Sequence, residues 1–195
     1  MQISSGHGHK SAAAGLLLAL LLISSGATTD RSDGAATSSV AVASATAASK
    51  RVHKGAPIAA AQFMGPQNAA RAALNMPPLR WDGRLAAYAS RYAAQRKWDC
   101  ELVHSNGPYG ENIFWGSGDG WTPAQAASAW VGERRWYSYW SNSCAGDQDC
   151  GHYTQIVWRG TKRVGCARVV CSGGQGVFMT CNYDPPGNYV GERPY

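Results

Sequence analysis

The chain has 195 residues, 45% of them apolar and only 15% charged, against about 25% charged in an average soluble domain. Eight Trp, nine Tyr and a formal charge of +6 accompany that composition. These values exclude a coiled coil and a wholly disordered chain, and the length leaves room for one ordinary domain and little more.

The first 27 residues read as a signal peptide. Lys10 gives a positive start, and residues 12–23 form an unbroken small and apolar run with GLLLALLLI at its heart. Such a run suits the core of a leader and is too short to cross a bilayer. Ser25, Gly26 and Ala27 put small residues at the cleavage positions, so a cut after Ala27 is expected, giving a secreted protein with no transmembrane segment. Residues 28–56 are built from Ala, Ser and Thr without period or aromatic residue. They read as a flexible arm or a removed pro-segment. The folded domain is then 57–195. It is mildly basic with scattered Arg, which gives no support to a nucleic-acid partner.

Along that domain, PQNAARAAL (66–74) predicts a short helix with Pro66 at its first position and a stop at Pro77-Pro78. Asp82 predicts the cap of a second helix whose buried stripe is Leu85, Tyr88, Ala89 and Tyr92. Thr122, Pro123 and Gln125 form a capping box for a third helix. Its stripe is Ala126, Trp130 and Glu133, which sets a carboxylate on the face of a Trp. RVGCARVVC (163–171) and GVFMTCNY (176–183) read as two strands around a Ser-Gly-Gly-Gln turn, the second half-buried with Val177, Met179, Cys181 and Tyr183 on one face. Helices followed by a hairpin give the α+β class.

All six cysteines, Cys100, Cys144, Cys150, Cys166, Cys171 and Cys181, lie in this domain. Behind a leader they read as three disulfides, with the pairing left open by arithmetic. The domain holds two His, His104 and His152, and two notable acids, Glu111 and Glu133. These four can share a cleft and hold a metal, or act as acid and base. Their spacing alone is a weak signal for a shared site and favours two hydrogen-bonded His and two ordinary acids. Trp136, Tyr137, Tyr139 and Trp140 crowd four rings into five residues. That is too dense for one face of an element, so some rings are expected to be exposed or to line a groove, unless all pack into the core.

GHYTQIVW (151–158) and CNYDPPGNYVGERPY (181–195), with YGENIFWGSG, WVGE and GCARVVC in order before and between them, resemble signatures of the CAP superfamily. That group joins cysteine-rich secretory proteins, insect venom antigens and plant pathogenesis-related proteins of family 1. The PPGNYVGERPY ending is similar to the plant branch, basic type. The resemblance implies an α-β-α sandwich around a small antiparallel sheet. It implies pairs Cys100–Cys171, Cys144–Cys150 and Cys166–Cys181, and a cleft tetrad of His104, Glu111, Glu133 and His152. The two His would bind a divalent metal such as zinc, as a cofactor the fold does not require. The aromatic loop would bind sterols or other membrane lipids. Residues 185–195 would be a releasable defence peptide, cut between Asp184 and Pro185 by a processing protease. The implied protein is a monomeric, non-enzymatic plant defence factor of the extracellular space (apoplast), with the vacuole as the alternative. A metal-dependent hydrolase is the remaining alternative, since a metal-activated water would need no Ser or Cys nucleophile. One departure stands out. Gln67-Asn68 occupies the place of a usual His-Asn pair, and Gln cannot titrate near neutral pH.

Overall fold

The computed structural model describes residues 58–195, so the leader and arm expected at 1–56 lie outside the described residues. The elements in chain order are α1 (Ile58–Ala72), β1 (Arg80–Trp81), α2 (Gly83–Arg96), β2 (Gly110–Gly116), α3 (Pro123–Gly132), β3 (Tyr137–Ser138), β4 (Ser143–Cys144), α4 (Gly151–Ile156), β5 (Arg163–Val170) and β6 (Val177–Asp184). The main sheet has the order β1-β5-β6-β2. The pairs β5/β6 and β6/β2 are antiparallel, while the two-residue edge strand β1 runs parallel to β5. The sheet is therefore mixed at one edge rather than antiparallel throughout.

Two layers of helix cover this sheet. On one face, Phe63 of α1, Trp130 of α3 and Ile156 of α4 pack on Val164, Met179 and Tyr183 of the hairpin. On the other, Ala93 of α2 packs with Ile113 and Phe178. Gly165 permits that second layer, because a Cβ there would stand 2.1 Å from the backbone nitrogen of Ala86 in α2. Covered on both faces, β6 is buried from Val177 through Tyr183, not on alternate residues as expected.

Local chemistry explains the helices. The Asp82 carboxylate accepts hydrogen bonds from the backbone of Arg84 (2.8 Å) and Leu85 (3.2 Å), satisfying two orphan donors of α2. In that helix Leu85, Ala89 and Ala93 are buried, while Tyr88 and Tyr92 are only half-buried. Thr122 and Gln125 form the reciprocal capping box of α3. The first helix departs from expectation. It starts at Ile58 and carries Pro66 in its interior. The stripe Ala60, Phe63, Gln67 and Arg71 is buried at helical spacing, and its packing outweighs the roughly 3 kcal/mol that an interior proline costs. Arg71 donates to the carbonyls of Pro77 (2.8 Å), Ile156 (3.0 Å), Trp158 (2.9 Å) and Thr161 (3.1 Å). One buried guanidinium thus ties α1 to the end of α4 and the loop beyond it. Burial, and then repulsion from Arg159, lowers its pKa.

Three disulfides join Cys100 to Cys171, Cys144 to Cys150 and Cys166 to Cys181. Among the described residues no cysteine is free and no helix is long and apolar enough to cross a membrane.

Candidate functional site

His104, Glu111, Glu133 and His152 form two His–carboxylate pairs. Glu111 lies on β2, opposite Asn182 in the register. One of its oxygens accepts from His104 Nδ1 (2.9 Å) and from the Ser105 backbone (2.8 Å), and the other from Asn182 Nδ2 (3.2 Å). Burial pushes the Glu111 carboxyl up, but the donors from His104 and Ser105 outweigh it and hold the group below the usual carboxylate range.

Glu133 sits one residue beyond α3, at the start of a 3-10 turn (Glu133–Trp136), not within the helix stripe. Leaving the helix lets its carboxylate reach α4. It accepts from His152 Nδ1 (2.6 Å) and from the backbone of His152 (3.0 Å) and Tyr153 (3.2 Å). The residue preceding α4, Cys150, makes no side-chain cap, so Glu133 caps this short helix from a distance. Trp130 stacks on the His152 ring with centroids 6.0 Å apart.

A buried polar chain links the second pair to α1. Asn112 Nδ2 donates to the His152 carbonyl (3.1 Å) and to the Tyr183 hydroxyl (3.1 Å), and that hydroxyl donates to Gln67 Oε1 (2.9 Å). Gln67 also donates to the Phe63 carbonyl (3.0 Å). A side-chain amide serves this position well, because it accepts and donates at once without a proton change. Burial raises the Tyr183 pKa well above its ordinary value, so the hydroxyl stays a donor. The sequence puts Tyr183 on the buried face of its strand without marking the role of its hydroxyl, and Asn112 carries no signal beyond directly following Glu111 in YGEN.

The donor set bears on a metal as follows. Both Nδ1 atoms are engaged by carboxylates, and among the described residues neither Nε2 has a hydrogen-bond partner. A carboxylate behind an imidazole is the usual way a protein orients a metal-ligating His. Among the described residues no three His, Cys, Asp or Glu side chains gather closely enough to hold an ion alone. The donors present are two imidazoles with a carboxylate behind each, so an ion held there would need water to complete its shell.

The aromatic loop splits in two. Tyr137 donates to Asn142 Oδ1 (2.8 Å) and packs against Tyr153 and Tyr195. Trp136 is half-buried beneath the guanidinium of Arg135. Both hold the loop in place. Tyr139 and Trp140 stand outside, with Trp140 87% exposed. The loop is clamped by the β3/β4 ladder, the Cys144–Cys150 bridge and the C-terminal tail. Arg193 donates to the carbonyls of Tyr139 and Trp140, both at 3.1 Å. The Tyr195 ring stacks on Tyr139 at 5.1 Å.

Asp184 ends β6 and pairs with the exposed Arg163. That hydrogen bond, and then the ionic attraction, raise the Arg163 pKa. Beyond it, Pro185 accepts from Thr161 Oγ1 (2.9 Å), Gly187 donates to Gln155 Oε1 (3.0 Å) and Pro194 accepts from the Arg159 backbone (2.6 Å). The tail is part of the fold, and a protease reaching the 184–185 bond must first open these contacts.

This chain, two layers of helix on a small sheet with two His–Glu pairs and a clamped aromatic loop, matches a known family. The model described as "CAP: Cysteine-rich secretory protein family" matches residues 64–183. The chain belongs to the CAP family, among the plant pathogenesis-related proteins of family 1. It is 67% identical over 134 residues to pathogenesis-related protein PR-1 of Medicago truncatula, spanning 69% of this chain and 78% of that protein. It is 51% identical over 133 residues to pathogenesis-related protein 1 of Arabidopsis thaliana, spanning 68% and 80%. Of solved structures, NaASP2 with Zn2+ superposes with a TM-score of 0.57 at 26% identity, over 72% of this chain and 90% of that one. These relatives make the chain a plant defence protein of the CAP family.

Proposed function

We propose that this defence protein is secreted and binds sterols or related lipids of microbes through the outer rim of the aromatic loop, Tyr139 and Trp140. The observation that carries the reading is a fully presented indole on a loop whose backbone is already fixed by a disulfide, a strand ladder and Arg193. A preorganised loop loses little entropy on binding. Covering most of one indole contributes about 3 kcal/mol by area. Three disulfides with no free thiol among the described residues suit an oxidising compartment such as the extracellular space.

The test is binding of a fluorescent sterol to the purified protein and to a variant with Trp136, Tyr139 and Trp140 all changed to Ala. Saturable binding that the folded variant loses supports the reading. Equal affinity in both removes the loop from the mechanism.

A divalent metal at His104 and His152 is a second reading, favoured by the carboxylate behind each imidazole. The Zn2+ of the NaASP2 structure lends it support by kinship. Zinc there would supply Lewis acidity or a structural cross-link. Glu111 and Glu133 would orient the two rings. A calorimetric zinc titration should lose its heat in the His104→Ala/His152→Ala variant, and equal heat in both proteins would refute the site.

A further inference from the structure

Behind the aromatic rim, between the β3/β4 loop, α4 and the tail, lies a separate cleft of about 290 Å³. Three rings, Tyr137, Trp158 and Tyr189, form its apolar walls, and the Cys144–Cys150 bridge lies among its lining. The Trp158 and Tyr189 rings meet edge to face at 5.8 Å.

The polar groups around it are mostly spent on one another. Asn142 accepts from Tyr137 and donates to the Glu192 carbonyl (3.0 Å). Asn188 accepts from Thr154 (2.8 Å) and donates to the Gly151 carbonyl (2.8 Å). Ser143 shares its hydroxyl with Ser141. Besides the Trp158 indole N–H and the Tyr189 hydroxyl, two exposed carboxylates are left. One oxygen of Asp149 accepts from the Gly151 backbone (2.8 Å). Its other oxygen, and both oxygens of Glu192, have no partner among the described residues. No Lys, Arg or His lines the cleft, although the chain as a whole is basic. Arg193, next to Glu192, is turned away onto the Tyr139 ring and the loop carbonyls.

Such a surface discriminates between ligand classes. A neutral sugar would leave the two carboxylate charges of the lining uncompensated. An anion meets two carboxylates. An apolar body with positive charge finds aromatic walls and two counter-charges. We infer that this cleft is a binding site for an organic ammonium group, held between Tyr137, Trp158 and Tyr189 and neutralised by Asp149 and Glu192. The group can come from a free amine or from a choline or ethanolamine lipid headgroup. The site is separate from the sterol-binding rim and stands without it.

The experiment is calorimetric titration of the whole protein at low salt with choline, and with 3,3-dimethylbutan-1-ol, its neutral carbon isostere. The same titrations are run on Asp149→Asn/Glu192→Gln, which keeps shape and removes charge. Choline should saturate and the isostere should not. The double variant should bind choline about tenfold more weakly, and salt should weaken binding to the native chain. Equal behaviour of choline and its isostere, no saturation by choline, or unchanged affinity in the double variant would each overturn the inference. A second arm measures binding to phosphatidylcholine vesicles. A loss there in the double variant assigns the headgroup as the source, and no loss assigns the free amine, given choline binding in the first arm. Trp140→Ala should leave choline binding intact while reducing sterol binding, so the two readings fail separately.

Discussion

Two regions of this molecule invert the usual distribution of charge and grease. Under α1, Arg71 is 1% exposed and surrounded by backbone carbonyls, and Gln67 is fully buried. On the loop after α3, Trp140 is 87% exposed. The buried polar region is bonded through Arg71 to four carbonyls and through Gln67 to Phe63 and Tyr183, and its work is to hold α1 and α4 onto the sheet. The exposed apolar region has its backbone tied down and its side chains left out, and it contributes little to stability. The difference separates what makes the fold from what is available to a partner.

The largest effect should come from cutting the buried side of this comparison. Arg71→Met keeps much of the volume but strands the carbonyls of Pro77, Ile156 and Thr161, while that of Trp158 keeps the Thr161 backbone N–H, and should cost about 4 kcal/mol in denaturant unfolding. A change within about 0.5 kcal/mol would mean that these carbonyls find other partners and that the guanidinium is no keystone. Next comes the loop clamp. Replacing Cys144 and Cys150 together by Ser opens a short loop and should cost about 2 kcal/mol, with sterol binding falling because the rim is no longer preorganised. Tyr183→Phe leaves Gln67 Oε1 and Asn112 short of a partner and should cost about 1 kcal/mol, with sterol binding unchanged.

A smaller effect is pH-dependent. Hydrogen bonds from His104 and Ser105 outweigh burial and hold the Glu111 carboxyl below its ordinary range in the folded chain. Its contribution to stability is therefore present above the unfolded pKa and is lost as pH falls through the lower folded value. Glu111→Gln should show a shallower loss of stability below pH 4.5 than the native chain, and an equally steep one would place the acid sensitivity elsewhere. The smallest stability effect belongs to Trp140→Ala, expected within about 0.5 kcal/mol while sterol affinity drops. A large loss of stability there would break the comparison outright.

Much of this was legible in the sequence where a local signal exists. Asp82 and the Thr122–Gln125 box mark their helices because capping is a property of a few adjacent residues. The β5/β6 hairpin follows from its turn and its β-branched runs. What escaped has physical reasons. The first half of α1 lies before a proline that reads as a start, and only its buried stripe shows that the helix continues. Strand β2 is buried from Gly110 to Ile113, so it has no alternation to detect. Helix α4 has six residues, too few for a period. In the site, His104, Glu111, Glu133 and His152 were found as residue types and gathered by family resemblance. Their division into two pairs was not, because it depends on Glu133 stepping off α3 to reach α4 and on Asn112 of β2 bonding the His152 carbonyl. Likewise the dense run 136–140 announced exposed rings but not which ones. That is decided by Tyr137 pairing with Asn142 and by Arg193 reaching back from the tail.

The central claim, that the presented rings are the working surface, is tested most directly by hydrogen–deuterium exchange with and without a saturating sterol. The account predicts new protection confined to the segment from Trp136 to Cys144. Protection around His104–Asn112 and α4, with that loop unchanged, would contradict it and move the working surface to the two His–Glu pairs.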